Sequence, residues 1–334
     1  MIYLEKNLEL KHELRFKNGK FKIALFSDVH GKKNFNKKLK RDFDAMVEKI
    51  KPDLVLFSGD MFDLRADLHE EKDVYAFLDE FTQILEENKI PWANVYGNHE
   101  REGAFENKLL QPIFESYEYN ISKMGPKDIH GTSNFMLPIK ASEGDDIIFN
   151  VWGLDSGCTL NITDYEHSYK GSDVIMKNHL HGGEGYDNPN FDQAMWYFQS
   201  SLELENYVKH KVPSFMFFHI PIPEFLIIVR NPSRCNIKGT YRENVMGCEI
   251  DHGLFAAALM RNDVKGIYVG HDHINDFSGK YCGIELGYNS ALCYDEYNMD
   301  DVRGVRIFEI DEKDPSSYNT YIARAKDLVE NYYE

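Results

Sequence analysis

The chain has 334 residues, enough for one large α/β domain with a full hydrophobic core. Its 55 acidic against 38 basic residues give a formal charge of −17, which argues against a general nucleic-acid binder and against a membrane surface, since both need a basic face. No apolar run nears the roughly 20 residues that span a bilayer; the charged stretch 1–11 lacks a signal-peptide core; and five cysteines without a C-x-x-C pair suit reduced thiols, so a cytoplasmic location is expected.

In chain order, residues 21–27 read as a buried strand. A basic helix follows over 35–49, with Phe43, Val47 and Ile50 on one face. Residues 54–58 are the next strand. An acidic helix over 70–88 carries Val74, Phe77, Leu78, Phe81, Ile84 and Leu85 at helical spacing. Residues 91–96 are strand-like, and this β-α-β-α-β order predicts a parallel sheet. Strands are expected at 135–139 and 147–152, a helix at 192–208, a strand at 212–219, a helix at 254–260 and a strand at 264–269. Alternating segments near Ile284, at 305–310 and at 318–325 are expected to complete a second sheet. Residues 153–190 and 230–249 have little periodicity and read as long surface loops or lids.

Five segments end in groups that bind hard or borderline divalent cations: Asp28-Val29-His30, Gly59-Asp60, Gly97-Asn98-His99-Glu100, His219 and Gly270-His271-Asp272-His273. Most of them directly follow apolar strand runs. In open α/β sheets ligands bind beyond the carboxyl ends of the strands, so carboxylates, imidazoles and an amide would converge there. A pair of metal ions is the simplest object to place among them. Asp60, the lone carboxylate of its turn, is the natural bridge. The mixed oxygen and nitrogen donor set suits Mn²⁺, Fe²⁺, Zn²⁺ or Mg²⁺, and no cysteine competes.

Taken together, these segments resemble the calcineurin-like metallophosphoesterase superfamily, with its order D-x-H, G-D, G-N-H-[DE], H, G-H-x-H, over about residues 21–277. The resemblance implies an α/β four-layer α-β-β-α sandwich of two mixed β-sheets. The whole chain, 1–334, would form one domain with its core over about 21–310 and lid-like insertions at 153–190 and 230–249. It assigns Asp28, His30, Asp60 and His273 to one divalent ion, and Asp60, Asn98, His219 and His271 to the other. His99 becomes the general acid in a direct in-line attack on phosphorus by a metal-bridging hydroxide. Three residues after the bridging Asp, purple acid phosphatases carry Tyr, whereas this chain has Asp63, so a colourless enzyme is expected. An Asp at that spacing is similar to the protein Ser/Thr phosphatase arrangement and makes Asp63 the expected partner of His99. The segments around His219 and His273 further resemble the purple-acid-phosphatase-like single-domain proteins of plants and fungi.

Other polar residues carry plainer readings. His12, His69, His130, His167, His210 and His252 read as surface or core-satisfied residues, and His179 and His181 as part of a solvated loop. Glu100 reads either as an orienter of the ligand loops or as a solvated acid. Asp272, between two ligands, is expected to point away from the ions. Arg101 beside the Asn98-His99 loop is the phosphate-clamp candidate, and the basic island 32–41 reads as a solvated helix face. The expected function is dinuclear metal-dependent phosphoester hydrolysis, with a phosphorylated small molecule or phosphoprotein as substrate and a monoester favoured. A phosphodiesterase or nucleotide pyrophosphatase would use the same site. A nuclease is disfavoured by charge, and a non-catalytic binding scaffold by the intact ligand set.

Overall fold

Twelve strands lie among the described residues, and only the inner ones fill both faces of the pleat with apolar residues. The twelve are Leu14–Arg15 (β1), Lys20–Phe26 (β2), Leu54–Ser58 (β3), Trp92–Val95 (β4), Phe135–Lys140 (β5), Ile147–Gly153 (β6), Ser214–Phe217 (β7), Val264–Val269 (β8), Ser278–Tyr281 (β9), Ile284–Tyr288 (β10), Gly304–Asp311 (β11) and Asn319–Arg324 (β12). The computed structural model describes residues 8–64, 68, 70–102, 106–158, 185–248 and 250–334. A seven-stranded sheet has the order β1-β5-β6-β7-β8-β10-β9, and a five-stranded sheet the order β12-β11-β2-β3-β4. Both are mixed: β2, β3 and β4 run parallel, as do β6, β7, β8 and β10, while β11 is antiparallel to β2 and β5 to β6.

Alternation decides the layers. In β2, Ile23 and Leu25 enter the core shared by the two sheets, whereas Ala24 and Phe26 enter the core under the helices. β7 does the same with Phe215 and Phe217 inside and Met216 outside. Burying side chains of this size stabilises by about 1.5–3 kcal/mol each, so neither face can be left to water. Helices Lys37–Ile50 (α1), Glu71–Phe81 (α2), Gln83–Glu87 (α3) and Asn107–Ser116 (α4) cover the five-stranded sheet. Phe191–Val208 (α5), Glu224–Arg230 (α6) and Leu254–Arg261 (α7) cover the seven-stranded one, and the short helix Ala325–Leu328 (α8) packs on the first side. The result is the four-layer α-β-β-α sandwich.

Local chemistry sets several boundaries. The Asn36 side chain accepts from the Lys38 N–H and opens α1, and a reciprocal Asn190–Gln193 capping box opens α5. The single helix expected over 70–88 is two pieces. They meet at buried Thr82, which caps α2 by giving both its N–H and its hydroxyl to the Leu78 carbonyl, at 2.8 and 2.7 Å. α4 is not announced by the sequence because Pro112 lies inside it; the carbonyl four residues back belongs to exposed Lys108, where water can satisfy it.

The last strands correct the sequence reading. Of the three segments expected in the second sheet, only β10 joins the seven-stranded sheet, whereas β11 and β12 return to the five-stranded one, with Phe308 opposite Ile23. β11 alternates Val305 and Ile307 toward the helices with Phe308 and Ile310 toward the inter-sheet core, the pattern β2 itself shows. It therefore fits beside β2, whose other edge is taken by β3. Of the lid-like insertions, residues 159–184 and 249 lie outside the described residues. The stretch after His219 is not wholly irregular, since α6 lies within it. No helix among the described residues is long and apolar enough to cross a membrane, and no disulfide joins the cysteines among the described residues.

α6 contributes a pH-dependent term. Burial, with the charge of Asp251 adding to it, pushes Glu224 up to about 7 from an ordinary 4.5, and its Oε2 is buried with no hydrogen-bond partner among the described residues. The folded-state value is raised, so this group's stabilisation is complete below pH 4.5 and is lost as pH rises through 7. Glu224→Gln should match the parent near pH 4 and exceed its stability by roughly 1–3 kcal/mol at pH 8, read from urea melts at both pH values.

Candidate metal centre

Each ligand loop leaves the carboxyl end of a strand, and each turns sharply as it does. Asp28, His30, Asp60 and His271 all sit in the left-handed region, with φ of 51°, 50°, 49° and 77°. Asp, Asn and His tolerate this better than most residues, yet such positions cost on the order of 1–3 kcal/mol each and persist only when their surroundings fix them. Hydrogen bonds between the loops do the fixing. The Asp28 N–H donates to the Gly59 carbonyl at 3.2 Å, and the His30 N–H to the Asp60 carbonyl at 2.9 Å. The His99 N–H donates to Asp60 Oδ1 at 2.9 Å, and the His271 N–H to Asp28 Oδ1 at 3.1 Å. Gly97 is required at the crossing because a Cβ there would lie 2.1 Å from Asp60 Oδ1.

Glu100 is the organiser of this crossing. It is buried, and its carboxylate accepts from the N–H groups of Gly97 at 2.8 Å, Asp60 at 3.1 Å, Phe62 at 3.3 Å and also Met61. Burial, with Asp60's charge next to it, pushes Glu100 up to about 8, against the pull of those backbone donors. Asp272 turns away from the centre, as expected, to the Tyr288 hydroxyl and the Met246 N–H. The loop before it is held on the same segment: Asn275 Oδ1 accepts from Arg242 and Glu243, and Glu243 Oε1 accepts from Ile274.

Six of the seven expected metal ligands converge, and the seventh, Asn98, lies on the loop next to them with its Oδ1 buried. The His219 Nε2 lies 2.9 Å from Asp60 Oδ2 and 3.9 Å from Asp28 Oδ1. The His273 Nε2 lies 3.1 Å from His30 Nε2 and 3.5 Å from Asp28 Oδ1, and His30 Nε2 is 3.7 Å from Asp60 Oδ2. Asp28, His30 and His273 form one group and Asp60, His219 and His271 another, the donor atoms of each lying within 4.8 Å of one another. Metal–nitrogen and metal–oxygen bonds of about 2.0–2.2 Å set neighbouring ligand atoms about 3 Å apart. The spacing fits.

The hydrogen-bonding pattern fits as well. His219 Nδ1 donates to the Ser58 carbonyl at 2.9 Å, and His273 Nδ1 to the Tyr297 carbonyl at 2.7 Å. A carbonyl can only accept, so each ring holds a proton on Nδ1 and, in its neutral form, turns the Nε2 lone pair inward. His219 Nε2 and Asn98 Oδ1 are buried acceptors with no hydrogen-bond donor, an arrangement that is costly unless a cation meets them. Burial and the neighbouring imidazoles hold His30 and His271 well below the ordinary imidazole range, in the neutral form that binds metal. Burial alone would lower His219, but Asp60 outweighs it and raises it to about 9. Asp60, in turn, is held well below the carboxylate range by its imidazole neighbours despite its burial.

Residues 21–275 match the family model described as calcineurin-like phosphoesterase. The chain belongs to this family. Probable inactive purple acid phosphatase 29 of Arabidopsis thaliana is 28% identical over 322 residues, covering 86% of this chain and 76% of the plant protein. Phosphatase DCR2 of Saccharomyces cerevisiae is 28% identical over 283 residues, which are 78% of this chain and 45% of the yeast protein. Among solved structures, a dimetal phosphatase from Danio rerio matches with a TM-score of 0.54 at 15% identity, over 90% of this chain and 98% of that one, a likeness of fold.

Within this calcineurin-like phosphoesterase, His99 is set apart from the seven buried candidate ligands. Its side chain is 16% exposed, and its Nε2 stands 3.8 Å from Asp60 Oδ2. The carboxylate on its Nδ1 is Glu102, at 2.6 Å, not Asp63 as the sequence pattern suggested. Asp63 is buried on the neighbouring loop, where its N–H donates to the Gly31 carbonyl. Arg101, expected to clamp phosphate, is paired with the buried carboxylate of Asp155 at 2.6 Å. Four of the six basic residues of the island are likewise in ion pairs: Lys32 with Glu296, Lys33 with Asp73, Lys40 with Asp44 and Arg41 with Asp42. Sequence reasoning also missed Tyr186, whose ring meets His271 edge-on at 4.3 Å, and Tyr297, stacked on His273 at 4.2 Å. An aromatic residue in an aperiodic loop carries no pattern that would mark it.

Proposed function

We propose that this chain hydrolyses phosphoesters with two divalent cations, and that phosphomonoesters are its preferred substrates. The observation that carries the reading is Asp60: one buried carboxylate with His219, His30 and His99 around its Oδ2, beside two buried acceptors without donors. Asp28, His30, Asp60 and His273 would hold one ion, and Asp60, Asn98, His219 and His271 the other. When bound, such ions lower the pKa of water and offset charge on phosphoryl oxygens. The donor set, without thiolate, suits Mn²⁺, Fe²⁺ or Zn²⁺ and accommodates Mg²⁺.

The protein's own contribution is positional. The carbonyls of Ser58 and Tyr297 fix the tautomers of His219 and His273, Glu100 locks the Asp60 and Asn98 loops together, and the half-open His99 delivers a proton to the departing oxygen. The names of the plant and yeast relatives, all phosphatases, support the monoester preference; the word "inactive" in the plant name is not matched here by any vacancy among the seven ligands. The substrate is then a phosphorylated small molecule or phosphoprotein, in a reducing compartment such as the cytoplasm that suits cysteines joined by no disulfide.

Initial rates on 4-nitrophenyl phosphate and bis(4-nitrophenyl) phosphate, with Mn²⁺, Fe²⁺, Zn²⁺ and Mg²⁺ in turn, test this. The monoester should be faster. A faster diester would make the protein a phosphodiesterase, and no turnover of either with both ions bound would leave a binding scaffold.

A further inference from the structure

We propose that Glu102 is the positioning residue for proton delivery, presenting His99 to the reacting group; this rests on the hydrolase reading above. One carboxylate serves two neighbours. Its Oε2 lies 2.6 Å from His99 Nδ1, and its Oε1 accepts from Asn98 Nδ2 at 3.4 Å. The local chain makes this possible. The Arg101 N–H donates to the Asn98 carbonyl at 3.0 Å, closing a turn that brings the side chain at 102 back over positions 98 and 99. Within that turn Glu100 faces inward to the backbone donors, while Glu102 stays on the solvent side with its side chain 31% exposed.

The chemistry follows from what a carboxylate can do. Ionised, it only accepts, so His99 Nδ1 carries a proton and Nε2 is the ring atom left to face the ions and the substrate. The same carboxylate also accepts the amide N–H of Asn98, whose Oδ1 is a buried acceptor without a donor. In the step itself the hydroxide oxygen bonds to phosphorus and the phosphorus–leaving-oxygen bond breaks. The departing oxygen keeps the electron pair and takes the proton from Nε2 of the His99 imidazolium. His99 ends neutral, still holding Nδ1–H against Glu102.

Proton delivery matters only when the leaving group is a poor one. Glu102→Ala should therefore slow kcat on an alkyl phosphate about 10²-fold while changing 4-nitrophenyl phosphate little, with both ions retained by elemental analysis. Equal loss on both substrates, or no loss on either, would overturn the assignment while leaving the hydrolase reading intact. A second readout needs no turnover: ¹⁵N-histidine NMR of the metal-free protein, with His99 assigned from a His99→Asn sample. The parent should show His99 protonated at Nδ1 and Glu102→Ala should lose that preference; a bare Nδ1 in the parent would refute the proposal even for a catalytically silent protein.

Discussion

Asp60→Asn should lose both ions, and with them at least about 10³ of the hydrolysis rate, equivalent to removing several kcal/mol of charge stabilisation. Only two of the seven ligands are anionic, Asp28 and Asp60, and they face four units of positive charge when two divalent ions are bound. Asp60 also lies between the two groups of ligands, with its Oδ2 2.9 Å from His219 and 3.7 Å from His30. Asparagine keeps the size and can keep the oxygen that accepts the His99 N–H at 2.9 Å, so the loops should stay in place. What it loses is the charge, and its amide hydrogens would face lone pairs that need a cation. Elemental analysis after gel filtration, beside an unchanged far-UV spectrum, is the check. Normal occupancy in this variant would remove Asp60 from the bridge.

His99→Ala should lower kcat by about 10²–10⁴-fold while both ions remain. The geometry offers a competing role that this variant separates, because His30, Asp60 and His99 also form a group whose donor atoms lie within 4.8 Å. Two features favour the acid over the ligand. The His99 ring is 16% exposed while the candidate ligands are closed off, and its Nδ1 is held by the Glu102 carboxylate on the solvent side. Loss of an ion in the variant would make His99 a ligand, and an unchanged rate would take it out of the chemistry.

The cluster of candidate ligands was legible in the sequence because its members follow apolar strands, and strand ends gather at one edge of such sheets. Asp28 follows β2, Asp60 follows β3, His219 follows β7 and His271 follows β8. The Ser58 and Tyr297 carbonyls that orient two of the imidazoles were not legible, since every residue has a carbonyl and only the fold selects which one serves. Glu102 reads in sequence as one more acid in an acidic chain, and the turn that folds it back on His99 has no signature of its own. Arg101 was misread for a related reason: Asp155, its partner at 2.6 Å, is 54 positions away and comes close only after β6 has joined the sheet. The return of β11 to β2 is likewise a long-range pairing. Its alternating pattern announces a strand covered on both faces without saying which sheet it enters.

The most direct test is anomalous diffraction at the manganese edge from crystals of the Mn²⁺-loaded protein. Two peaks about 3.5–4 Å apart, both within coordination distance of Asp60 and each flanked by its own set of the remaining six ligands, are the predicted result. A well-ordered site with no peak, or with a single ion that Asp60 does not touch, would contradict it.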